Sequence, residues 1–361
     1  MKKNILEEDY LFAPKTRDIN ITNYDYSVEF LVNKIRDGKI ILDVDFQRRL
    51  VWDNNRASSL IESILMNVPI PPIYFAETED GKWLVLDGLQ RLSSIKRFYD
   101  DDLKLTKLGV YSELDTKTYS QLMNTPIASK LDNGLLRVNL IRNDSDPDIK
   151  YDVFMRLNQG AMTLNYQELR NCLYRGNLNE ALKELVLENK ELFAIFPKPS
   201  PDKRFVSEEF ILRFFAIADN IIKDKENKYC VSDYKGSLVQ YLNAYMQKNK
   251  DIDLGAKAEY KQRFNEVMKK TLIVFEAKEA FRKFGDAKTM RPIADYILAS
   301  FDKLTTDYLT NNKESIRNKY VELLEDNIFY ESVFQKKSTS TTALNYRINR
   351  WMSEFDNDIQ L

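Results

Sequence analysis

A change in residue pattern near residue 145 constrains the fold of this 361-residue chain more than any other feature of its sequence. Before that point, short apolar runs that suit strands alternate with stretches whose apolar residues recur every three or four positions, as in helices. After it, only the helical spacing continues. We therefore predict an α+β protein with two domains: residues 1–145, which contain a small sheet, and residues 146–361, which are mainly helical.

The apolar runs of the first half predict a small sheet with helices between its strands. Strands are expected at residues 39–44, 73–75, 83–86 and 135–140, and a helix is expected at residues 56–66. The turn Glu79-Asp80-Gly81 joins the second and third of these strands into a hairpin. The chain then turns at Asp87-Gly88 into another helix.

Capping signals and apolar spacing predict a series of helices in the second half. Asp146-Pro147 is typical of a helix start, and Asn165 followed by Glu168 indicates a capping box. Later helices are expected at residues 207–219, 260–283, 291–308, 313–325 and 341–351. The aromatic residues Phe210, Phe214 and Phe215 are spaced as a helix core rather than as a surface for stacking bases.

The chain contains no histidine, which excludes several classes of catalytic site. Ser-His-Asp and Cys-His arrangements, HExxH zinc proteases and nucleases with a histidine general base are all impossible. The ten glycines form neither a Walker-type phosphate loop nor a GxGxxG motif. Cys172 and Cys230 match no metal-ligand spacing and are expected to be buried free thiols. Any chemistry must therefore depend on carboxylates, Arg, Lys, Tyr, Ser or backbone dipoles.

Charge and hydropathy restrict the partners and the location. The chain has 54 basic and 55 acidic residues, so affinity for nucleic acid must come from a local patch rather than from net charge. No apolar stretch approaches the roughly 20 residues that a membrane span requires. The first ten residues contain acids where a secretory signal has its apolar region. We expect a cytoplasmic protein that does not contact a membrane.

The first of three candidate clusters lies between the predicted strand 39–44 and the helix 56–66. It contains Gln47, Arg48 and Arg49, followed by Trp52. A guanidinium group presents a planar fork of donors to a phosphate, and an indole ring can stack on a base. The same residues are also compatible with two solvated arginines beside a core tryptophan.

The second cluster is Asp87-Gly88-Leu89-Gln90-Arg91, where a predicted strand turns into a helix. The first N–H groups of a helix have no partner within it and attract anions. Gly88 would allow a close approach of the backbone to a ligand, Arg91 could bind phosphate, and Asp87 could hold magnesium. In the alternative interpretation, Asp87 caps the helix and Gly88 completes a tight turn.

The third cluster contains Arg156 and Asn158 within the segment Phe154-Met155-Arg156-Leu157-Asn158-Gln159-Gly160. Taken alone it is typical of an ordinary helix end, because Asn and Gly tolerate the left-handed conformation there.

Together the three clusters resemble the N-terminal domain of the GmrSD restriction endonuclease, a branch of the ParB and sulfiredoxin-like fold. The resemblance depends on the order of its motifs, which are Phe46-Gln47-Arg48 with Trp52, Leu60 to Leu65, Pro69 to Tyr74, Asp87 to Leu92, and Phe154, Arg156, Asn158, Gly160, Leu164 and Glu168. It implies that the first domain is a ParB/sulfiredoxin-like α/β domain with a small sheet.

The resemblance implies nucleotide binding or hydrolysis and bacterial defence against foreign DNA. The family signature is Asp-Gly-Gln-Gln-Arg, and Leu89 replaces its first glutamine, which predicts binding with reduced hydrolysis. Many members carry a second, HNH nuclease domain. That domain needs histidine, so this chain cannot contain it.

The leading hypothesis is a nucleoside-triphosphate-binding protein, acting as a magnesium-dependent NTPase that serves as a sensor or switch. Its expected catalytic residues are Asp87, which also holds magnesium, Gln90 and Arg91. Its expected nucleotide-binding residues are Gln47, Arg48, Arg49, Trp52, Gly88, Arg156 and Asn158. Phosphoryl transfer depends mainly on positioning and charge stabilisation, so it does not require histidine.

Two other functions stay open at the level of sequence. The same arginines could bind DNA, and Asp87 with another carboxylate could support metal-assisted nicking. Alternatively, the chain is a non-catalytic subunit that assembles with a separately encoded nuclease. The sequence does not decide between an NTP hydrolase, a DNA endonuclease and a protein without enzymatic activity.

Overall fold

The computed structural model describes residues 20–42, 52–145, 153, 165–196, 206–283, 289–334 and 338–359. These residues form two compact units, which we call the N-terminal unit, up to residue 153, and the C-terminal unit, from residue 165 onward. The predicted boundary between residues 145 and 146 falls where a described range ends, and it stays a prediction. The mixed N-terminal unit and the mainly helical C-terminal unit confirm the predicted α+β class.

A five-stranded sheet, in the order β1-β5-β3-β4-β2, organises the N-terminal unit. Its elements are β1 (Ile21–Ser27), α1 (Val28–Arg36), β2 (Ile40–Ile41), α2 (Asn54–Leu65), β3 (Ile73–Glu77), β4 (Trp83–Asp87), α3 (Leu89–Tyr99), α4 (Pro126–Asp132) and β5 (Leu135–Ile141). β3 and β4 form the predicted antiparallel hairpin. β1 is antiparallel to β5, whereas β3 with β5 and β2 with β4 are parallel.

One face of β5 and the apolar sides of three helices form the core of this unit. Leu136, Val138 and Leu140 alternate along β5, so their side chains point to the same face, and all three are buried. They share a cluster with apolar residues of α1, α2 and α3. Leu92 and Ile95 belong to this cluster, which fixes the side of α3 that faces the core.

The C-terminal unit consists of ten α-helices and one short hairpin within its described residues. The elements are α5 (Tyr166–Leu173), α6 (Asn177–Glu188), α7 (Lys190–Ile195), α8 (Val206–Ala218), β6 (Ile221–Lys223), β7 (Tyr229–Val231), α9 (Leu238–Asn249), α10 (Leu254–Val274), α11 (Arg291–Lys303), α12 (Thr306–Glu325), α13 (Asn327–Phe334) and α14 (Thr341–Met352). Every residue from 210 to 218 of α8 is buried, which confirms the predicted core role of Phe210, Phe214 and Phe215.

Helix caps explain where the sequence-based boundaries were wrong. The helix predicted at 260–283 is α10, which begins after the cap residue Asp253 and ends at Val274. Helices were also predicted at 291–308 and 313–325, but the boundary between the two helices lies earlier, at Leu304-Thr305. The side chain of Thr305 accepts the N–H of Tyr308 and so starts α12.

Other local predictions have mixed outcomes. The capping box of Asn165 and Glu168 is confirmed. The predicted strand 39–44 is shorter, since β2 contains only Ile40 and Ile41 and residues 43–44 lie outside the described ranges. The proposed helix start at Asp146-Pro147 also lies outside them. The hairpin of β6 and β7 was not predicted.

Cys230 is a free, half-buried thiol, and burial raises its pKa. Among the described helices, none has both the length and the apolar character needed to cross a membrane.

Candidate functional site

The junction of β4 and α3 is a tight turn that only glycine fits. Gly88 precedes α3 with a φ of 95°, in the left-handed region, and it is buried. A Cβ at this position would lie 3.0 Å from Cγ1 of Ile73 and 3.2 Å from Nη2 of Arg91. Gly88 occupies the N-cap position without a side-chain cap, so the interpretation of Asp87 as the helix cap is wrong.

The guanidinium group of Arg91 is held inside the fold. Nη1 donates to the carbonyl of Pro71, while Nη2 donates to the carbonyl of Pro72 at 3.2 Å and to Oδ2 of Asp87 at 2.9 Å. Only 11% of its side chain is exposed. Burial lowers the pKa of Arg91, and the charge of Asp87 opposes this effect. Arg91 thus connects the chain before β3 to the turn before α3.

Two side chains of α3 hold the backbone of Trp52. Oε1 of Gln90 accepts the N–H of Trp52 at 3.0 Å, and Nη1 of Arg97 donates to its carbonyl at 3.2 Å. Nη2 of Arg97 also donates to Oδ1 of Asn54 at 2.8 Å. The guanidinium carbon of Arg56 lies 5.3 Å from the centre of the Trp52 ring. Side chains of α3 therefore hold both the backbone N–H and the backbone carbonyl of Trp52. These bonds attach the segment that leads into α2 to α3.

A cavity of about 510 Å³ lies beside α3, within the usual size range of small-molecule sites. We call it the α3 cavity. Its lining contains a polar set from α3 and the chain after it and a mostly apolar set from the end of α1 to β2; the two sets are Gln90, Ser93, Lys96, Arg97 and Asp102, and Ile35, Gly38, Ile40, Ile41 and Leu42. The spacing of 90, 93 and 97 places these α3 residues on one helix face, opposite the core side.

Lys96 of the cavity lining shares the carboxylate of Asp100 with Arg36. Oδ2 of Asp100 lies 2.5 Å from Nζ of Lys96, and Oδ1 lies 2.8 Å from Nη2 of Arg36. Burial raises the pKa of Asp100, but hydrogen bonds from Lys96 and Arg36 outweigh burial and leave the pKa below its usual value. One carboxylate is thus shared by two cations, and Arg97 adds a third positive charge nearby.

The structure brings together part of the residue set predicted from sequence. Asp87, Gly88, Gln90 and Arg91 lie on one turn, and Trp52 contacts Gln90. Five other predicted ligand-binding residues lie outside the described ranges, namely Gln47, Arg48, Arg49, Arg156 and Asn158. Ser93, Lys96 and Arg97 were not predicted from the sequence. The spacing of Ser93 and Arg97 from Gln90 along α3 was the signal that could have found those two.

Asp87 fits a magnesium site only if the phosphates of a bound nucleotide supply further ligands to the metal. No three acidic or thiol side chains converge on a possible metal position within the described part of the chain. Magnesium bound with phosphates needs only one or two protein carboxylates. Asp87 exposes 42% of its side chain and commits Oδ2 to Arg91, which leaves Oδ1 as its available ligand atom.

The described residues of the N-terminal unit form an α/β domain in which a strand–glycine–helix junction stands beside the α3 cavity. Residues 28–175 match the family model described as GmrSD restriction endonuclease, N-terminal domain. The match runs from the start of α1 to just past the end of α5, and it confirms the resemblance over these residues.

The comparison with solved structures includes a chain described as the C2221 form of a Pnob8-like ParB-N domain. It is 11% identical, with a TM-score of 0.23, and the similarity covers 95% of this chain and 99% of that one. Among curated proteins, no match was found.

Proposed function

We propose that the N-terminal unit binds a nucleoside triphosphate in the α3 cavity and acts as a sensor or switch. The observation that carries this proposal is the composition of the cavity. Its lining combines apolar residues, which include Ile40 and Leu42, with the cations Lys96 and Arg97. A nucleotide has the matching division into a flat, weakly polar base and a polyanionic tail.

The remaining predicted residues extend this proposal. Trp52 is half-buried, its backbone N–H contacts Gln90 of the cavity lining, and its ring remains the proposed partner of the base. Gln47, Arg48, Arg49, Arg156 and Asn158 remain proposed nucleotide ligands on the basis of the family motifs alone. Gly88 would keep the turn close to the bound molecule.

Hydrolysis is proposed to be slow compared with binding. Asp87 would hold magnesium, which would offset phosphate charge, and Gln90 and Arg91 remain the other proposed catalytic residues. Gln90 and Arg91 already make hydrogen bonds within the fold. Leu89 stands at the position where the family signature has its first glutamine.

Titration calorimetry of the full chain with each of the four ribonucleoside triphosphates, with and without magnesium, tests the proposal. We expect saturable binding of at least one of them, unchanged in Lys82→Ala, which removes an exposed cation paired with Asp80. A full set of titrations without heat, supported by equilibrium dialysis, would overturn it.

The family match favours a second candidate, a role in the restriction of foreign DNA. The matching model is named for a restriction endonuclease, so the chain is proposed to act on DNA itself or to assemble with a nuclease encoded elsewhere. A plasmid-relaxation assay with magnesium or manganese, with Asp87→Ala as control, tests direct cleavage. Nucleotide binding without turnover, together with assembly with a nuclease, would support the second form.

A further inference from the structure

The sheet of the N-terminal unit ends in two edge strands of different length. β2 at one edge contains only Ile40 and Ile41, whereas β1 at the other edge has seven residues. Within the described residues, β5 is the one strand that pairs with β1, so the outer side of β1 has no partner strand there. A long edge strand offers a row of backbone donors and acceptors to another strand.

β1 has little of the protection that edge strands commonly carry. It contains no proline and no lysine. Its one charged residue, Asp25, is neutralised by Arg137 of β5, whose Nε and Nη2 each lie 3.0 Å from a carboxylate oxygen. β1 also exposes apolar surface, because Ile21 is 38% and Tyr24 is 36% accessible. These properties favour pairing with a further strand.

The backbone groups in the middle of β1 alternate in direction between β5 and the outer side. Hydrogen-bonded and non-hydrogen-bonded positions alternate along an antiparallel pair. The N–H of Val28 donates to the carbonyl of Gly134, and the N–H of Arg142 donates to the carbonyl of Asn20. Both bonds lie in the register of β1 with β5, so the even-numbered residues of β1 are the ones bonded to β5. The odd-numbered residues in the middle of β1 therefore turn their N–H and C=O groups outward.

We propose that β1 pairs antiparallel with β1 of a second copy of this chain, in the register that places the two Tyr24 residues opposite each other. The outward backbone groups of Asn23 would then bond to those of Asp25 in the second copy, and the reverse pair would form by symmetry. The two five-stranded sheets would become one continuous sheet. This interface does not involve the α3 cavity, so the proposal is independent of nucleotide binding.

Side-chain chemistry favours this register over its neighbours. Outward backbone groups must meet outward groups, so the strands can shift only in steps of two residues. With Tyr24 at the centre, the amide of Asn23 lies opposite the carboxylate of Asp25 in the other copy and can donate a hydrogen bond to it. A centre at Asp25 would oppose two carboxylates, and a centre at Asn23 would place Asp25 opposite the apolar Ile21.

The aromatic side chains of β1 favour the same register. The rings of Tyr24 and Tyr26 stack with their centres 5.2 Å apart, and Tyr26 stacks on Phe30 of α1 at 4.4 Å. Tyr24 stands at one end of this row and is exposed. Directly opposite residues of a non-hydrogen-bonded pair have Cα atoms about 4.5 Å apart, so the two Tyr24 rings would cover each other and join the two rows.

Two substitutions at one exposed position test the register in the full chain. Asn23→Asp places a carboxylate opposite Asp25 of the other copy, whereas Asn23→Lys places an ammonium group there. The matched controls are Asn55→Asp and Asn55→Lys, which make the same changes of charge in the exposed first turn of α2. Analytical ultracentrifugation over a series of concentrations measures the dimer, and melting temperatures show that each variant folds.

A disulfide tests the position of the symmetry axis. In the proposed register, Tyr24→Cys would bring two thiols together at a Cα separation that a disulfide can span. Ser129→Cys, at an exposed position of α4, is the control. Mild oxidation followed by non-reducing electrophoresis measures the cross-linked dimer in both variants and in the wild type, which has its own two cysteines.

We expect the wild type to dimerise in a concentration-dependent manner. Asn23→Asp should weaken the dimer by about threefold to thirtyfold, because the symmetry repeats the repulsion, and Asn23→Lys should dimerise at least as tightly as the wild type. Both variants of Asn55 should match the wild type. Tyr24→Cys should form a covalent dimer, whereas Ser129→Cys and the wild type should not.

Three outcomes would overturn the proposal. A wild type that stays monomeric up to about 100 µM would reject the pairing of two copies. A dimer that is unaffected by both substitutions of Asn23, with no cross-link in Tyr24→Cys, would place the interface on another surface. Equal weakening by Asn23→Asp and Asn23→Lys would reject the register centred on Tyr24.

Discussion

Gln90 accepts the backbone N–H of Trp52 through Oε1 at 3.0 Å, so a motif residue expected to act on a ligand holds a neighbouring segment of its own chain. Arg97, two turns further along α3, donates to the carbonyl of the same residue. The wall of the α3 cavity and the position of Trp52 therefore depend on each other.

Substitutions of Gln90 should separate its structural role from the charge of the cavity. Gln90→Ala removes the acceptor of Trp52 N–H and should cost about 0.5–1.5 kcal/mol in the free energy of unfolding. Gln90→Glu keeps an acceptor at this position, so it should retain most of that stability and yet weaken anion binding through its negative charge. Urea unfolding and calorimetry measure the two effects, and equal triphosphate affinity for wild type and Gln90→Glu would contradict a ligand in this cavity.

Removal of the cavity carboxylate should have the opposite effect on affinity. Asp102 lines the α3 cavity and repels an anion bound there. Asp102→Asn should therefore increase triphosphate affinity severalfold, and the gain should shrink as salt is added. The matched control is Asp80→Asn, an acid of the β3–β4 turn that is not among the residues lining the cavity. A similar gain in both variants would mean that net charge, rather than this site, sets the affinity.

Gly88→Ala should destabilise the N-terminal unit through both backbone strain and crowding. A non-glycine residue in the left-handed region costs about 1–2 kcal/mol, and the new Cβ would also press on Ile73 and Arg91. Gly81→Ala is the matched control, since its φ is 74° but nothing lies within 4 Å of the added Cβ. The difference between their unfolding free energies measures the crowding term alone. If the two variants were equally stable, the turn would be looser than its geometry indicates.

The buried ion pair of Arg213 and Asp295 should be the most sensitive contact of the C-terminal unit. Nε of Arg213 lies 3.0 Å from Oδ1 of Asp295, Nη2 lies 2.5 Å from Oδ2, and both side chains are nearly inaccessible. Asp295→Ala leaves an uncompensated buried charge and should cost about 3–5 kcal/mol. The double variant Arg213→Met/Asp295→Leu should recover most of that loss in chemical denaturation. A double variant no more stable than Asp295→Ala would show that apolar side chains of similar volume cannot replace the ion pair at this site.

The free energy of unfolding should be nearly constant between about pH 5.5 and 7.5, because the chain has no histidine to titrate in this interval. It should fall at lower pH, where carboxylates become protonated. Burial raises the pKa of Glu209, but the charges of Arg170 and Arg291 outweigh burial and leave it lowered. A carboxylate whose pKa is lowered by folding contributes stability above its unfolded pKa of about 4.3 and loses it as the pH falls through the folded value. The midpoint of urea unfolding should therefore decrease below about pH 5.

The acid loss should be smaller in Glu209→Gln, which starts from a lower stability at neutral pH because Arg170 loses a charged partner. Parallel acid profiles for this variant and the wild type would assign the loss to other carboxylates, of which Asp302 beside Arg263 is the next candidate.

Sequence patterns predicted most of the N-terminal sheet, because its strands are bounded by turn residues and bury alternate side chains. They missed β1, whose seven residues pair with β5 more than one hundred positions away, since local composition carries no record of such a partner. The helical boundaries failed where a threonine cap decided them, as at Thr305. The sequence predicted two helices there, but apolar spacing alone does not fix the residue at which the first ends and the second begins.

The motif at residues 87–91 predicted the position of the candidate site but not the contacts of its members. Asp87 and Arg91 were expected to face a ligand, and in the structure they bind each other. The partners of Arg91 are carbonyls at Pro71 and Pro72, which no spacing rule connects to it. Lys96 was missed because a lysine in the last turn of a helix is commonly explained by the helix dipole.

The complete burial of residues 210–218 of α8 limits how the C-terminal unit can move. A helix enclosed on every side cannot tilt or slide without opening gaps on all its contacts at once. A displacement of α8 would therefore cost more packing energy than an equal displacement of a helix in this unit that keeps an exposed side.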